Sequence, residues 1–183
     1  MSIYLETERL YMRPFEADDA HALYLLNNNP EVMRYTGDIP FKSDEEARQF
    51  AIDYVTNSQS QYVQFNMGRL AAVRKEDNAF IGWAGFKYHP KEDFIDMGYR
   101  LMQPYWGKGY ATELAARVIQ HGFEDHAMQE IIAHVHEDNV GSQRVVEKTG
   151  MRLSHKFLWA GKLPARHYVI SKADYDHQAT ARN

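Results

Sequence analysis

Three consecutive segments between residues 69 and 101 have the character of β-strands. They run from Arg69 to Arg74, from Ala79 to His89 and from Phe94 to Leu101. The breaks between them, Lys75–Asn78 and His89–Asp93, are short, polar and turn-like. Strand-like segments joined by such breaks are typical of hairpins. The centre of the chain is therefore predicted to form an antiparallel meander.

Helices and further strands are predicted on both sides of this meander. The strands lie near Leu10–Phe15, Glu130–His136, Arg152–Leu158 and Arg166–Ser171, and the helices begin at Asp18 or Asp19, Ser43, Tyr110 and Asn139. The helix from Tyr110 to about Asp125 has one continuous apolar stripe. This order predicts a mixed α/β (α+β) fold with a largely antiparallel sheet of six to seven strands and flanking helices. Residues 1–172 are expected to form a single domain, and residues 173–183 a polar C-terminal tail.

Composition excludes several classes of protein. The chain has 183 residues, no cysteine and a net charge of −4. The absence of cysteine removes disulfides, thiolate catalysis and cysteine-ligated zinc. Proteins that bind nucleic acid usually carry a basic surplus, so a nucleic-acid partner is not expected. The longest apolar stretch, Ala79–Phe86, is too short to span a bilayer, and Met1–Glu6 has no signal-peptide character. A cytoplasmic protein without a membrane partner is the expectation.

A glycine-containing loop joins the third meander strand to the long helix. Gly107 and Gly109 lie just before the helix start at Tyr110. Glycines there let backbone N–H groups turn toward one point, and the helix N-terminus favours an anion. The loop is not a P-loop, and Thr112 stands where the dinucleotide fingerprint needs a third glycine. As a bare motif it fits a phosphate site or an ordinary loop.

Four motifs in order give the chain a resemblance to a known family. The segment Trp106–Ala111 is similar to the Gln/Arg-x-x-Gly-x-Gly/Ala loop of the GNAT superfamily of N-acyltransferases, although Trp106 stands in its first position. The stretches Thr7–Pro14, Asp96–Leu101 and Asn139–Met151 resemble the branch that includes the ribosomal-protein N-terminal (alanine and serine) acetyltransferases. The resemblance runs from Thr7 to about Ile170.

The resemblance implies acetyl-CoA as cosubstrate. In this superfamily it lies in a cleft where two central strands splay apart, here Phe94–Leu101 and Glu130–His136. The pantetheine arm is expected near Leu101 and Met102, with the diphosphate on the loop amides. Lys108 supplies a local cation or is simply a solvated lysine. The full expected set comprises Leu101, Met102, Trp106, Gly107, Lys108, Gly109, Tyr110, Ala111, Thr112, Asn139 and Ser142.

The implied reaction is direct transfer of an acetyl group to a primary amine through a tetrahedral intermediate. Asp96, before Gly98-Tyr99 on the strand that lines the cleft, is the favoured base; alternatively it is a carboxylate paired across the sheet. His134 is a second candidate base and shares a face with His136, because the two are two residues apart on a strand. Both are also explained as packed histidines, and no metal site is expected.

The departing thiolate needs a proton or a hydrogen bond. The resemblance implies that Asn139 contacts the cofactor and that Ser142 hydrogen-bonds the thiol. Asn139 is alternatively only a helix N-cap, with Ser142 a small first-turn residue. Relatives often place a tyrosine acid seven residues after this asparagine, but that position is Val146 here. Ser142 or solvent is then the proton donor.

The acceptor is the least determined partner. A small-molecule amine and a peptide or protein N-terminus are both open, and the chain is expected to be a monomer or a homodimer. Two or three aromatic residues are expected to touch the acceptor, from Tyr35, Phe41, Trp83, Tyr88, His89, Trp159 and His167. The segment Trp159–His167 lacks the acidic residue that relatives often carry. The alternative functions are a non-catalytic CoA-binding regulatory module and a phosphate-binding scaffold unrelated to CoA.

Overall fold

One eight-stranded sheet runs through residues 4–57, 59–90 and 92–181, which the computed structural model describes. Its strands are β1 (Leu5–Glu6), β2 (Leu10–Arg13), β3 (Arg69–Arg74), β4 (Phe80–His89), β5 (Phe94–Leu101), β6 (Glu130–His136), β7 (Arg152–Trp159) and β8 (Leu163–Ser171). The predicted mixed α/β class is confirmed, but the count of six to seven strands is too low. The additional strand, β1, has only two residues, too few for a pattern of alternating hydrophobicity to reveal it.

The strands lie in the spatial order β1-β2-β3-β4-β5-β6-β8-β7. Every neighbouring pair is antiparallel except β5 and β6, which are parallel. That pair is joined at one position, Asp96 opposite Ile132, whereas β4 and β5 are paired from Gly82–Leu101 to His89–Phe94. Past Asp96 the two parallel strands diverge. The predicted meander and the splayed central pair are both present.

Seven α-helices surround the sheet in the described residues. They are α1 (Ala20–Asn28), α2 (Pro30–Met33), α3 (Asp44–Thr56), α4 (Gln61–Phe65), α5 (Tyr110–Glu124), α6 (Val140–Lys148) and α7 (Lys172–Ala181). Ser43 caps α3 through Glu46 N–H, and Asn139 caps α6 through Ser142 N–H, as the sequence predicts. The short α2 and α4 were not predicted. None of the described helices has the length and apolar character needed to cross a membrane.

The two faces of the sheet bury separate apolar cores. One core packs α5 on the sheet and includes Met97 and Leu101 of β5. The other packs α1 and α3 on the opposite face around Trp83. Side chains alternate along a strand. We call the face of the sheet that α1 and α3 cover the helical face. Asp96, Gly98 and Arg100 therefore lie on the helical face, whereas Tyr99 lies on the face that α5 covers.

The C-terminal segment forms a helix that packs on α5. Residues 173–183 were expected to be a polar tail, but Lys172–Ala181 form α7; residues 182 and 183 lie outside the described part. Tyr175 packs on Phe123 with ring centroids 4.9 Å apart, and its hydroxyl donates to Glu124 at 2.9 Å. Gln178 donates to the carbonyl of Gly150 at 3.3 Å. The helix lacks an apolar stripe because one aromatic ring provides most of its attachment, which is why periodicity did not reveal it.

Candidate active site

A cleft of about 840 Å³ opens where β5 and β6 diverge. Its walls are β5, β6, the loop before α5, and the first turns of α5 and α6. A strand has two hydrogen-bonding edges. One edge of β5 is paired with β4 along its whole length, while the other is paired with β6 only at Asp96. Beyond Asp96, the other backbone groups on that edge face the cleft and are available to an extended ligand, except the Leu101 carbonyl, which accepts a hydrogen bond from Nε1 of Trp106.

The glycine loop presents a row of free amides at one end of the cleft. Gly107 and Gly109 have φ of 73° and 83°, and Gly109 is the N-cap of α5. Residues that have a side chain rarely adopt such φ values, so glycine is required for this turn. In the described part of the chain, no acceptor takes a hydrogen bond from the backbone N–H groups of residues 107–112. The positive end of a fifteen-residue helix and these donors together suit an anion.

The N-terminal motif braces this loop. Arg9 donates to the Lys108 carbonyl at 3.0 Å, forms an ion pair with Glu113 at 2.6 Å, and lies 4.4 Å from the centre of the Tyr110 ring. Thr7 donates to the same Glu113 carboxylate at 2.5 Å. Burial alone would raise the pKa of Glu113, but the hydrogen bonds from Thr7 and Arg9 outweigh burial and lower that pKa. Two motifs about a hundred residues apart thus fix the loop conformation.

Most residues expected to bind the cofactor lie on the wall of the cleft. They are Leu101, Trp106, Gly107, Gly109, Tyr110, Ala111, Thr112, Asn139 and Ser142. The structure places Met102 and Lys108 elsewhere. The N–H of Met102 already donates to Ile81 at 2.9 Å, so it is not free for a pantetheine arm. The Lys108 ammonium lies over the Tyr105 ring, 5.8 Å from its centre.

The favoured base, Asp96, forms a pair with a histidine. Its carboxylate lies 2.7 Å from Nε2 of His89, and both side chains are largely buried. The His89 ring stacks on Phe94 with centroids 4.6 Å apart. Lys87 stands directly opposite Asp96 on β4, yet the carboxylate contacts His89 instead. A carboxylate that orients an imidazole is an arrangement suited to proton transfer.

His134, the other candidate base, is enclosed by aromatic rings. Its Nε2 lies 2.9 Å from Nδ1 of His167, and its buried Nδ1 has no partner in the described residues. Burial, helped by the nearby charge of His167, lowers the pKa of His134 to about 4. A neutral imidazole with so low a pKa is a weak base. His136 packs on Tyr35, and no group of three or more potential metal ligands occurs in the described residues.

The wall of the cleft beside α6 contains a tyrosine, Tyr99, that was not predicted from the sequence. Ser142 lies in the first turn of α6, and Val146, at the position where the resemblance led us to expect a tyrosine, is buried in the core. Tyr99 projects from β5 beside Ser142, and its buried hydroxyl has no hydrogen-bond partner in the described residues. Burial raises the pKa of Tyr99 to about 12, although Ser142 opposes the increase. The hydroxyl therefore keeps its proton at neutral pH.

The acceptor end is both aromatic and charged. Of the seven aromatic residues suggested by the sequence, Tyr35, Trp83, His89 and Trp159 line the cleft, whereas Phe41, Tyr88 and His167 do not. The charged residues that line this part of the cleft were not predicted from the sequence; they are Glu31, Arg34, Asp38, Arg69, Lys87 and Arg100. These residues belong to five separate elements or loops, so no local motif connects them.

The amino-acid sequence of the chain is similar to those of known acetyltransferases. A family profile described as "Acetyltransferase (GNAT) domain" matches residues 9–152. The uncharacterized N-acetyltransferase p20 of Bacillus licheniformis is 31% identical over 143 residues, which are 78% of this chain and 78% of that protein.

Solved structures have the same architecture. A GNAT-family acetyltransferase from Bacillus anthracis superposes with a TM-score of 0.79 and 26% identity, covering 93% of this chain and 99% of that one. The spermidine N-acetyltransferase of Vibrio cholerae, solved in complex with CoA and spermine, gives a TM-score of 0.74 with 19% identity over 92% of this chain and 99% of that one. At that identity the second likeness concerns the fold alone.

The histidine cluster predicts a pH-dependent stability. The folded-state pKa of His134, about 4, lies below the usual 6.5. The unfolded chain therefore binds the proton more tightly, and the free energy of unfolding falls as pH decreases from 6.5 toward 4. His134→Gln should reduce the difference in this free energy between pH 7 and pH 4.5 by about 2 kcal/mol. Urea denaturation at both pH values measures it.

The exposed His177 on α7 provides the control. His177→Gln should leave the pH difference as it is in the wild type. If the free energy of unfolding of His134→Gln changed between pH 7 and pH 4.5 as much as that of the wild type, the low pKa assigned to His134 would be contradicted.

Proposed function

Because the chain belongs to the GNAT acetyltransferase family, we propose that it transfers the acetyl group of acetyl-CoA directly to a primary amine. The family establishes the class of the enzyme, an acyltransferase. The observation that carries the proposal is the cleft between β5 and β6, which has free amides at one end and a carboxylate–histidine pair on its wall.

The chemistry of the cleft fits acetyl-CoA. A diphosphate needs several N–H donors and a positive potential, and the loop of residues 107–112 offers both. A pantetheine arm carries amides that pair with an open strand edge, which β5 has beyond Asp96. Trp106 closes the loop onto this edge, since its Nε1 donates to the Leu101 carbonyl at 2.8 Å. Acetyl-CoA, when bound, supplies an activated thioester carbonyl.

The candidate base and the candidate acid lie on opposite faces of the sheet. Asp96 and His89 belong to the helical face, whereas Tyr99 and Ser142 belong to the α5 face. An acceptor entering from the helical face therefore meets the base, and a thiolate leaving toward α6 meets the hydroxyl groups. This separation suits direct transfer between two substrates bound at the same time, with no covalent intermediate on the protein.

The base makes the amine nucleophilic. A primary amine is mostly protonated at neutral pH, since its pKa is about 8 to 10. The Asp96–His89 pair accepts one proton of the ammonium, directly or through an ordered water, and the neutral nitrogen then attacks the carbonyl carbon. The extra proton that the nitrogen carries after the attack leaves to solvent, and solvent returns a proton to the group that protonates the thiolate. A C–N bond forms, and unpaired backbone N–H groups of β5 stabilise the negative oxygen of the tetrahedral intermediate.

The hydroxyl groups complete the reaction. When the C–S bond breaks, the thiolate takes a proton from Ser142 or from Tyr99 through Ser142. Tyr99 thereby supplies what the missing tyrosine at Val146 would have supplied. Asn139 holds this geometry, because its side chain caps α6 by accepting from Ser142 N–H at 3.1 Å.

The experiment that tests the function is a thiol-release assay with purified protein, acetyl-CoA and a panel of amines, including polyamines, amino acids and peptide N-termini. Release above background with at least one amine is expected, together with a matching increase in mass of that amine. Binding of CoA without release for any amine would favour the non-catalytic regulatory module. Failure of CoA to raise the Tm would favour the phosphate-binding scaffold.

The loop makes a prediction about affinity. A Cβ at Gly109 would lie 3.3 Å from Nη2 of Arg9, at a φ of +83° that disfavours side chains. Gly109→Val should displace the Arg9 brace and raise the Kd for CoA by about tenfold or more, measured by calorimetry. Gly161→Val is the control, since φ there is +69° with open space around the Cβ. Gly161→Val should lower the free energy of unfolding by about as much as Gly109→Val does. An equal loss of CoA affinity in both variants would contradict the role of the loop.

The hydroxyl pair makes a prediction about turnover. Ser142→Ala and Tyr99→Phe should each lower kcat by about 100-fold with little change in the KM for acetyl-CoA. The kcat of the double variant should be little lower than that of the less active single variant, because the two groups act in series. Tyr168→Phe is the control. It also removes a buried tyrosine hydroxyl, one that donates to Glu147 at 3.1 Å and does not line the cleft, so kcat should stay close to that of the wild type. A wild-type kcat in Ser142→Ala and Tyr99→Phe would remove both assignments.

A further inference from the structure

Two guanidinium groups share one indole ring on the helical face of the cleft. The Cζ of Arg69 lies 4.3 Å from the centre of the Trp83 ring, and that of Arg100 lies 5.3 Å from it. Trp83 is only 6% exposed, so the ring forms a fixed floor. Both arginines line the cleft.

The two arginines differ in how their charge is compensated. Arg100 donates to Asp38 and to the amide oxygen of Asn27, and 11% of its side chain is exposed. Arg69 has no carboxylate within ion-pair distance in the described residues, and none of its guanidinium N–H groups donates a hydrogen bond there. The charge of Arg69 therefore faces the cleft without a counterion from the protein.

Electrostatic repulsion makes this arrangement costly without an anion. Burial lowers the pKa of Arg100, Asp38 opposes that change, and the nearby charge of Arg69 lowers the pKa further. Two like charges are held beside one buried ring, and Asp38 forms its ion pair with Arg100 and not with Arg69. A guanidinium presents a planar fork of donors that matches a carboxylate.

The position of this charge relates it to the reacting amine. Arg69, Gly85 and Gly98 stand opposite one another on β3, β4 and β5. Gly98 follows Asp96 by two residues on the same face, a distance of about 7 Å along a strand. The edge of the Trp83 ring comes within 3.6 Å of the position that a Gly98 Cβ would take. The absence of a side chain at Gly98 leaves this surface open between the Asp96–His89 pair and the arginines.

We propose that the acceptor is a compact amine that carries a carboxylate, such as a free amino acid, and that Arg69 binds this carboxylate while the amine lies at Asp96–His89. This inference rests on the proposed acetyl transfer. It assigns to Arg69 a role in acceptor selection, and it disfavours polyamines, whose second cationic amine would lie against the uncompensated guanidinium.

The test compares L-amino acids with their amides and their decarboxylated amines as acceptors. Because an amide also changes the pKa of the amine, each acceptor is compared between wild type and variant. Arg69→Gln should lower kcat/KM for the amino acid by about 10- to 100-fold, the usual weight of a charged hydrogen bond, and that for the amide and the amine by less than threefold. Arg69→Lys, which keeps the charge, should recover part of the loss.

Two controls separate this role from structural effects. Arg48→Gln removes the same charge from an exposed position on α3 outside the cleft, and should leave all three rates unchanged. Calorimetric titration of the CoA-loaded protein with an N-acetyl amino acid and with its amide gives a readout that needs no turnover. The N-acetyl amino acid should bind more tightly to the wild type, and the two should bind alike to Arg69→Gln.

The outcomes distinguish the two levels of inference. Acetylation of polyamines or neutral amines with no carboxylate preference would overturn the role of Arg69 and leave the proposed function standing. An equal loss for all acceptors in Arg69→Gln would also overturn it, since the stacking on Trp83 would then be structural. Selective binding of the carboxylate product without any acetylation would support the site and reject the reaction.

Discussion

Everything at the site depends on the early divergence of two parallel strands. β5 and β6 pair only at Asp96 and Ile132, so the sheet is open at its centre rather than at an edge. The opening persists because both strands are held from outside: β4 pairs with the full length of β5, and β8 pairs with β6 from Glu130 to His136. Unpaired backbone groups are costly when they lose water. A ligand that satisfies them is therefore bound by the architecture itself.

The alternation of side chains along β5 then divides the work between the two faces. Successive residues point to opposite sides. The same eight-residue strand therefore presents Asp96 on the helical face and Tyr99 on the side of α5 and α6. The proposed proton acceptor and proton donor are separated by the thickness of one strand. This arrangement needs no movement of a domain, only two substrates that approach the gap from opposite faces.

Local charge differs from the net charge of the molecule. The chain as a whole is acidic, yet the cleft presents free amides at a helix N-terminus and an arginine that no carboxylate of the described residues pairs with. The Arg9 side chain also lies at this end of the cleft, where it contacts the Lys108 carbonyl, Glu113 and the Tyr110 ring. Net charge argues against a nucleic-acid partner, but it says nothing about the sign of the potential inside the cleft.

The sequence by itself determined the features that depend on near neighbours along the chain. The meander, the glycine turn before α5, the Asn139 cap and the order of motifs follow from periodicity, backbone conformation and hydrogen bonds within a few residues. These features were enough to predict the fold class. The family and the residues expected to bind the cofactor came from the resemblance of four motifs to known proteins, and most of those residues line the cleft.

The tertiary structure decided whatever depends on distant partners. The Met102 N–H donates to the Ile81 carbonyl, burial lowers the pKa of His134, and the Tyr99 hydroxyl is buried beside Ser142. Desolvation, pairing and pKa depend on which remote segments surround a group, and no pattern along the chain encodes that surrounding. For the same reason, only the folded chain distinguishes Arg100, which pairs with Asp38, from Arg69, which has no carboxylate within ion-pair distance in the described residues.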